Sequence, residues 1–402
     1  MGNMHQTRQS NIASVYRRYR SLLLVATLAS SFCAYTPGFA FSQSEEGWTL
    51  VERAGTEALE ASEYGPAETL FKEAVGRSQA FGPADLRLAK SCGDLGRLYT
   101  IRGRFTEAEP YLEKELQIKK VALGEENGKI IPAMGSLVRF YLTYENSTKA
   151  DPLTAQMLAS IADRLKAARA KTQVKAEKGA PLQGWCGTAA PEKTDDLIDW
   201  AITCDAVGND YRVRGNFDLA EKLFQTAMDL KTTVYGNNHL SLANSYDNMG
   251  MLYMAKNDYP EAEGYFEDAL SITEKTLASN THEIYNRMDK LAKCFVKEQK
   301  FEKAEELYNK AQTFWTPEEP SKYGDDARAM YSLGSIYCDE KNYDAAATKL
   351  EDALACAERF HGPASIELVP YLQKYAYALY YLGRIPDVDR LRARASTISG
   401  VM

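Results

Sequence analysis

Histidines, cysteines and paired acids are the raw material of a catalytic or metal site, and this sequence spaces them poorly for that purpose. The four histidines are His5, His239, His282 and His361. No two of them stand at a spacing that would put both imidazoles on one ion, and neither HExxH nor CxxC occurs. A GxSxG elbow and a Gly-rich phosphate loop are also absent. Nucleophilic chemistry has one candidate, Cys186 near Asp195 and Asp196, but no general base accompanies it. No enzyme, metal or cofactor is therefore expected. His239 lies in a turn, where capping or packing suits it better than ligation.

Seven cysteines are present, and in an exported chain they would raise the question of disulfides. Cys92 and Cys204 occupy a repeating position filled elsewhere by Val51, Met134, Tyr246, Met288, Met330 and Leu372. That pattern makes them small core residues. Cys186–Cys204 is the one pairing that a flexible loop would allow. Asn146-Ser147-Thr148 has the form of a glycosylation sequon.

Side chains suited to holding another chain are more plentiful than those suited to catalysis. The formal net charge is −7, and the first 40 residues contain Arg8, Arg17, Arg18 and Arg20 with no Lys, Asp or Glu. Removing those four positive charges leaves −11 on the remainder. So acidic a body opposes nucleic-acid binding and electrostatic docking on anionic lipid. No small-molecule substrate is indicated.

The elements that must position these side chains announce themselves as a repeat. An aromatic residue followed three positions later by Ala occurs as Tyr64/Ala67, Phe105/Ala108, Phe217/Ala220, Tyr259/Ala262, Phe301/Ala304 and Tyr343/Ala346. Spacings of 42 recur, and the weaker pairs Ser147/Ala150 and Ile385/Val388 complete eight copies. Nine residues before each anchor stand Gly55, Gly96, Val138, Gly208, Gly250, Ala292, Gly334 and Ala376. Six before it stand Ala58, Tyr99, Tyr141, Tyr211, Tyr253, Phe295, Tyr337 and Leu379. Phe71, Leu112, Thr154, Phe224, Phe266, Tyr308 and Leu350 lie seven after it. Apolar residues at three- and four-residue steps predict one buried stripe per helix. A glycine inside a helix costs about 1 kcal/mol against alanine. Its recurrence at one register position thus predicts a close helix crossing. Turns are expected at Arg102-Gly103-Arg104, Arg214-Gly215-Asn216, Lys256-Asn257-Asp258 and Glu340-Lys341-Asn342.

Leu95-Gly96-Arg97-Leu98-Tyr99 with Phe105, Ala108 and Leu112, and Gly250, Tyr253, Ala262, Phe266 and Ala269 in another copy, resemble the tetratricopeptide repeat. The 42-residue period and Tyr235-Gly236-Asn237-Asn238-His239 are similar to its kinesin light chain variety. Trp is missing from the first core position of the first helix. The resemblance implies an all-α, right-handed superhelical solenoid of about eight helix–turn–helix repeats. Repeats one to three would occupy 45–170 and repeats four to eight 196–398. It also implies a protein or peptide ligand held on a concave surface lined by first helices. The residues then expected there are Arg97, Arg139, Asn209, Arg212, Asn244, Asp247, Asn248, Met251, Met254, Lys293, Arg328, Tyr331 and Tyr377. Asn209, Asn244 and Asn248 would bond a peptide backbone, and Arg would clamp a carboxylate.

Between the blocks, 171–195 reads as an insertion: Lys171–Lys178 able to prolong a helix, then a loop over 179–196 in which Trp185 is an apolar plug or a partner contact. At the N-terminus a basic run, Arg17-Arg18-Tyr19-Arg20, precedes the apolar Ser21–Ala29 and the small-residue end Pro37-Gly38-Phe39-Ala40. This order predicts a signal over residues 1–40 and export, with organelle targeting or an N-terminal anchor as alternatives. The C-terminal copy offers Tyr375, Tyr377, Tyr380 and Tyr381, so self-association of a structural solenoid is the alternative role.

Overall fold

The structure is a computed structural model that describes residues 45–177, 191–277, 281–313 and 323–400. Every long element among the described residues is a helix. Packing groups them into two compact units divided between Arg214 and Gly215. The first unit holds α1 (Glu45–Glu60), α2 (Tyr64–Ser78), α3 (Leu86–Ile101), α4 (Phe105–Leu123), α5 (Ile131–Thr143), α6 (Ser147–Glu177) and α7 (Pro191–Val213). The second holds α8 (Phe217–Tyr235), α9 (Leu240–Lys256), α10 (Tyr259–Thr276), α11 (Thr281–Lys297), α12 (Phe301–Thr313), α13 (Tyr323–Asp339), α14 (Tyr343–His361), α15 (Val369–Tyr381) and α16 (Ile385–Ser399).

Each repeat is thus a first helix followed by a second, and all eight anchor residues are the first residue of a second helix. The turn before them is equally regular. Two residues ahead of each anchor the backbone is left-handed, at Ser62, Gly103, Glu145, Gly215, Asn257, Gln299, Lys341 and Gly383. In seven of these turns the following amide closes the turn by reaching back five residues, as Arg104 N to Tyr99 O (2.9 Å) and Asp258 N to Tyr253 O (2.9 Å) do. This is the Schellman geometry, which satisfies carbonyls that a helix end would otherwise leave unpaired.

The recurring small residue does what its register predicts. A Cβ on Gly250 would lie 2.6 Å from Phe266 Cε1, and one on Gly96 would lie 2.7 Å from Leu112 Cγ. Phe71, Leu112, Phe224, Phe266, Tyr308 and Leu350, all seven after an anchor, are almost completely buried. Burying such a side chain is worth roughly 1.5–3 kcal/mol. Phe266, Tyr308 and Leu350 also belong to the junction with the next repeat. Leu350, for example, shares one core cluster with Leu368, Leu372 and Tyr375 of α15.

A polar latch runs along the same junctions. The hydroxyl of the tyrosine six before an anchor donates to an acid four or eight after the previous anchor. The pairs are Tyr99 to Glu68 (3.3 Å), Tyr141 to Glu113 (2.9 Å), Tyr211 to Asp151 (2.8 Å) and Tyr253 to Glu221 (3.0 Å). Tyr337 donates likewise to Glu305. Bases from the next repeat join in: Arg104 reaches Glu68 at 2.7 Å, Lys256 reaches Glu221 at 2.9 Å and Lys300 reaches Glu263 at 2.6 Å. Where the tyrosine becomes Leu379, the acid becomes Ala347, and both are buried.

The insertion lengthens helices. α6 runs 31 residues to Glu177, as Lys171 onward predicted. α7 starts at Pro191, so 191–196 is helix where a loop was expected. Repeat stacking continues in the first unit: Trp200 Nε1 of α7 donates to Gly128 O at 3.0 Å. Residues 1–40, Trp185 and Cys186 lie outside the described residues, as does any Cys186–Cys204 pairing.

Candidate functional site: the first-helix face

Within each unit the first helices of consecutive repeats lie side by side, α3 against α5, α5 against α7, α11 against α13 and α13 against α15. Among the described residues no two second helices approach each other as closely. First helices therefore form the inner layer, and their exposed positions form the face on which a partner was expected.

In the first unit that face is bound up with charge pairs between repeats. Glu52 of α1 is buried; its Oε1 accepts from Lys90 Nζ at 2.6 Å and its Oε2 from Ser91 Oγ at 3.1 Å. Ser91 Oγ in turn accepts from Trp48 Nε1 at 2.9 Å. Lys90 also reaches Asp94 at 2.8 Å, and Arg97 lies between Asp94 and Glu115 (3.6 Å). Glu115 stands where six other repeats place Ala and one places Met157, and Gly93 makes room for it: a Cβ there would lie 2.2 Å from the carboxylate. Burial and the neighbouring Asp94 push the Glu52 carboxyl up to about 7. Burial opposes ionisation of Asp94 too, but its hydrogen bond with Glu52 and the charges of Arg97 and Lys90 hold it low. Arg97 is half-buried, whereas Arg139 is exposed and pairs with Asp210 at 2.7 Å. Asn209 is exposed, and its Oδ1 accepts from the half-buried Arg212 at 2.7 Å.

In the second unit Asn244 is exposed, but its Oδ1 already accepts from Arg287 Nη2 at 2.7 Å. Asp247 was expected on the face and is instead buried under α11. Its Oδ2 accepts from Lys290 at 2.7 Å and lies 3.7 Å from Arg287 Nε. Arg287 is 2% exposed and spans α9, Asp247 and Glu283 (2.8 Å), a role the sequence reading missed. The only hint was a base fourteen residues before the sixth anchor, which means nothing until α11 lies on α9. Asn248 is half-buried. Met251 and Lys293 are exposed, Lys293 beside Asp289 at 2.6 Å, and Met254 is half-buried. Arg328 is exposed, donates to Asn286 (3.2 Å) and sits 5.1 Å over the Tyr285 ring. Tyr331 is half-buried, edge-on to Tyr371 at 5.1 Å; burial raises its hydroxyl pKa. Tyr377 is exposed, with Tyr380 and Tyr381, but Tyr375 is buried.

Many side chains on this layer are already held in place by neighbours. Buried Cys92 has its thiol pushed up to about 11 by burial, and Cys204 is also fully buried, which makes both core residues. His239 caps α9, accepting from Ser241 N at 3.1 Å while stacking on Tyr235 at 4.0 Å. Asn146 accepts from Thr148 Oγ1 at 2.8 Å and from Lys149 N at 3.3 Å, so it caps α6.

Three family models, each described as the tetratricopeptide repeat, match the chain: one over 201–275 and 248–316, one over 88–127 and one over 290–359. No curated protein matches it. Similar solved structures include BtubC (BKLC) from P. vanneervenii, 16% identical, covering 78% of this chain and 94% of that one, with a TM-score of 0.40. A putative kinesin light chain from Podosopora anserina with nearly identical TPR-like repeats is 20% identical; coverage is 58% of this chain and 96% of that one, and the TM-score is 0.41. The C-terminal part of a TPR repeat-containing protein from Cytophaga hutchinsonii is 12% identical, covering 76% of this chain and 95% of that one, with a TM-score of 0.45.

Proposed function

Because the chain is a tetratricopeptide repeat protein, whose repeats are typically non-catalytic protein-interaction scaffolds, we propose that it binds a peptide or partner protein along its first-helix face. One observation carries this reading: the side chains exposed on that layer are polar groups with Met251 and Tyr377 among them, the mixture that suits an adaptable interface. The buried charges beneath it hold the helices in register. Arg97, Arg139, Asn209 and Arg212 would serve the first unit, and Asn244, Lys293, Arg328 and Met251 the second. Asp247 acts by positioning Arg287, which presents Asn244. The test is affinity capture with the chain starting at Phe41, beside a Met251→Ser, Lys293→Ala, Arg328→Ala variant. A partner held by the first and lost by the second supports the reading; equal retention overturns it for the second unit.

The basic, apolar and small-residue order of Arg17–Ala40 supports export with cleavage after Ala40. N-terminal sequencing of the protein recovered from its native compartment tests this. A start at Phe41 in an exported fraction is expected, and an intact Met1 in the cytoplasm would refute it.

A further inference from the structure

Asn244, Asn286 and Arg328 stand fifteen residues before their anchors, each 42 after the one before, on the consecutive first helices α9, α11 and α13. An arginine of the following first helix takes the carbonyl of each asparagine. Arg287 Nη2 donates to Asn244 Oδ1 at 2.7 Å, and Arg328 Nη2 donates to Asn286 Oδ1 at 3.2 Å. A guanidinium has no acceptor, so these contacts fix which end of each amide is the oxygen. Both amide NH2 groups are left without a partner among the described residues, Asn244 being exposed and Asn286 half-buried. The acids of α9 and α11 are all engaged: Asp247 by Lys290 (2.7 Å), Asp289 by Lys293 (2.6 Å) and the Tyr308 hydroxyl (2.8 Å), and Glu283 by Arg287 (2.8 Å). The row of Asn244, Asn286 and Arg328 therefore offers N–H groups and no acceptor.

Packed neighbouring helices lie about 8–10 Å apart, so a ligand crossing α9, α11 and α13 must present an acceptor to this row about every 9 Å. An extended strand fits poorly, because it brings N–H as well as C=O groups to its edge, and its N–H groups would face N–H groups. A polyproline II chain turns once in three residues at about 3.1 Å per residue, so a backbone carbonyl returns to the same side about every 9 Å. Proline carries a carbonyl and no N–H, so nothing on such a backbone opposes the row. We propose that the first-helix face of the second unit binds a proline-rich segment in the polyproline II conformation, with Asn244 and Asn286 donating to carbonyls one turn apart. This rests on the reading that the face holds a partner, and it names that partner's chemistry. Tyr331, three residues on from Arg328 and so beside it on α13, supplies an aromatic ring of the kind against which proline-rich segments pack.

An acidic segment fits less well. Lys290 and Lys293 already have Asp247 and Asp289 as counter-ions, and what the two asparagines leave unpartnered is neutral amide N–H, which matches a neutral carbonyl. Arg287 is a positioning residue here: at 2% exposure it reaches the ligand only through Asn244, whose carbonyl it holds inward.

A labelled all-proline peptide of about four turns, long enough to cross three helices, is the probe for fluorescence anisotropy with the full chain. Saturable binding is expected, about tenfold tighter than that of a glycine–serine peptide of equal length, which is neither pre-ordered nor free of N–H groups. Asn244→Asp and Asn286→Asp keep the bond to arginine but exchange the N–H donor for a carboxylate. Each should weaken binding about five- to tenfold with the circular dichroism unaltered. Arg287→Met releases the Asn244 carbonyl and should narrow the preference for proline over glycine–serine, a ratio that loss of folded protein alone does not move. No saturable binding of the proline peptide, binding indifferent to both aspartate substitutions, or tighter binding of a glutamate peptide of equal length overturns the proposal. The Met251→Ser, Lys293→Ala, Arg328→Ala variant separates the two readings. If it loses the captured partner while Asn244→Asp keeps it, the face binds a partner of other chemistry and this proposal alone fails.

Discussion

Gly250→Ala tests whether close helix crossing, rather than local propensity, governs the repeat. Alanine in place of a helical glycine contributes about 1 kcal/mol by itself. Here the new methyl would lie 2.6, 2.7 and 2.8 Å from three atoms of the Phe266 ring, well inside van der Waals contact. Phe266 is 1% exposed and packed in the core with Ile284, Tyr285 and Met288, so the ring has nowhere to retreat. Overpacking of this kind costs about 1–3 kcal/mol. Net destabilisation of about 1 kcal/mol is expected, read as a lower urea midpoint. Gly264→Ala on α10 is the control, since a Cβ there meets nothing within 4 Å. It should stabilise by up to about 1 kcal/mol. Stabilisation by both substitutions would refute the close-crossing account, because propensity alone would then explain the glycine.

Three further predictions follow from the junctions and turns. Arg287→Ala takes from Asp247 and Asn244 a buried base, leaving Lys290 as the one base at Asp247, and should cost about 1–3 kcal/mol, with partial recovery in an added Asp247→Asn; urea unfolding measures both. Lys341 holds a left-handed turn position with φ 62°, so Lys341→Gly should raise the thermal midpoint, corresponding to about 0.5–1 kcal/mol. Glu52 binds its proton more tightly when folded, so between its ordinary value near 4.5 and about 7 the native state holds more protons than the unfolded one. Stability contributed by this group therefore falls as pH rises through that window. Glu52→Gln should flatten the fall in urea titrations at pH 5 and pH 8, and an unchanged slope would contradict the assignment.

The hairpins could be read from the sequence because their signals are local. An aromatic at the first position of a second helix, a small residue nine before it and a turn between them all lie within one repeat. Even the weak anchors Ser147 and Ile385 begin helices, because the surrounding register supports them. The ion networks could not be read in this way. Glu52 and Lys90, or Asp247 and Arg287, lie about one repeat apart, and their pairing depends on which faces of neighbouring first helices meet. For the same reason Asp247 was placed on an open face: helical phase put it there, and the arrival of α11 covers it. Tyr99, Tyr141, Tyr211, Tyr253 and Tyr337 stood out as a recurring aromatic position, but their acid partners lie in the preceding repeat.

Hydrogen exchange on the full chain with its captured partner tests the central claim most directly. Binding along the first-helix face predicts added protection in α9, α11 and α13 or in α3, α5 and α7, with the second helices α10, α12 and α14 or α2 and α4 unchanged. Protection confined to second helices, with the first helices exchanging as in the free chain, would contradict it.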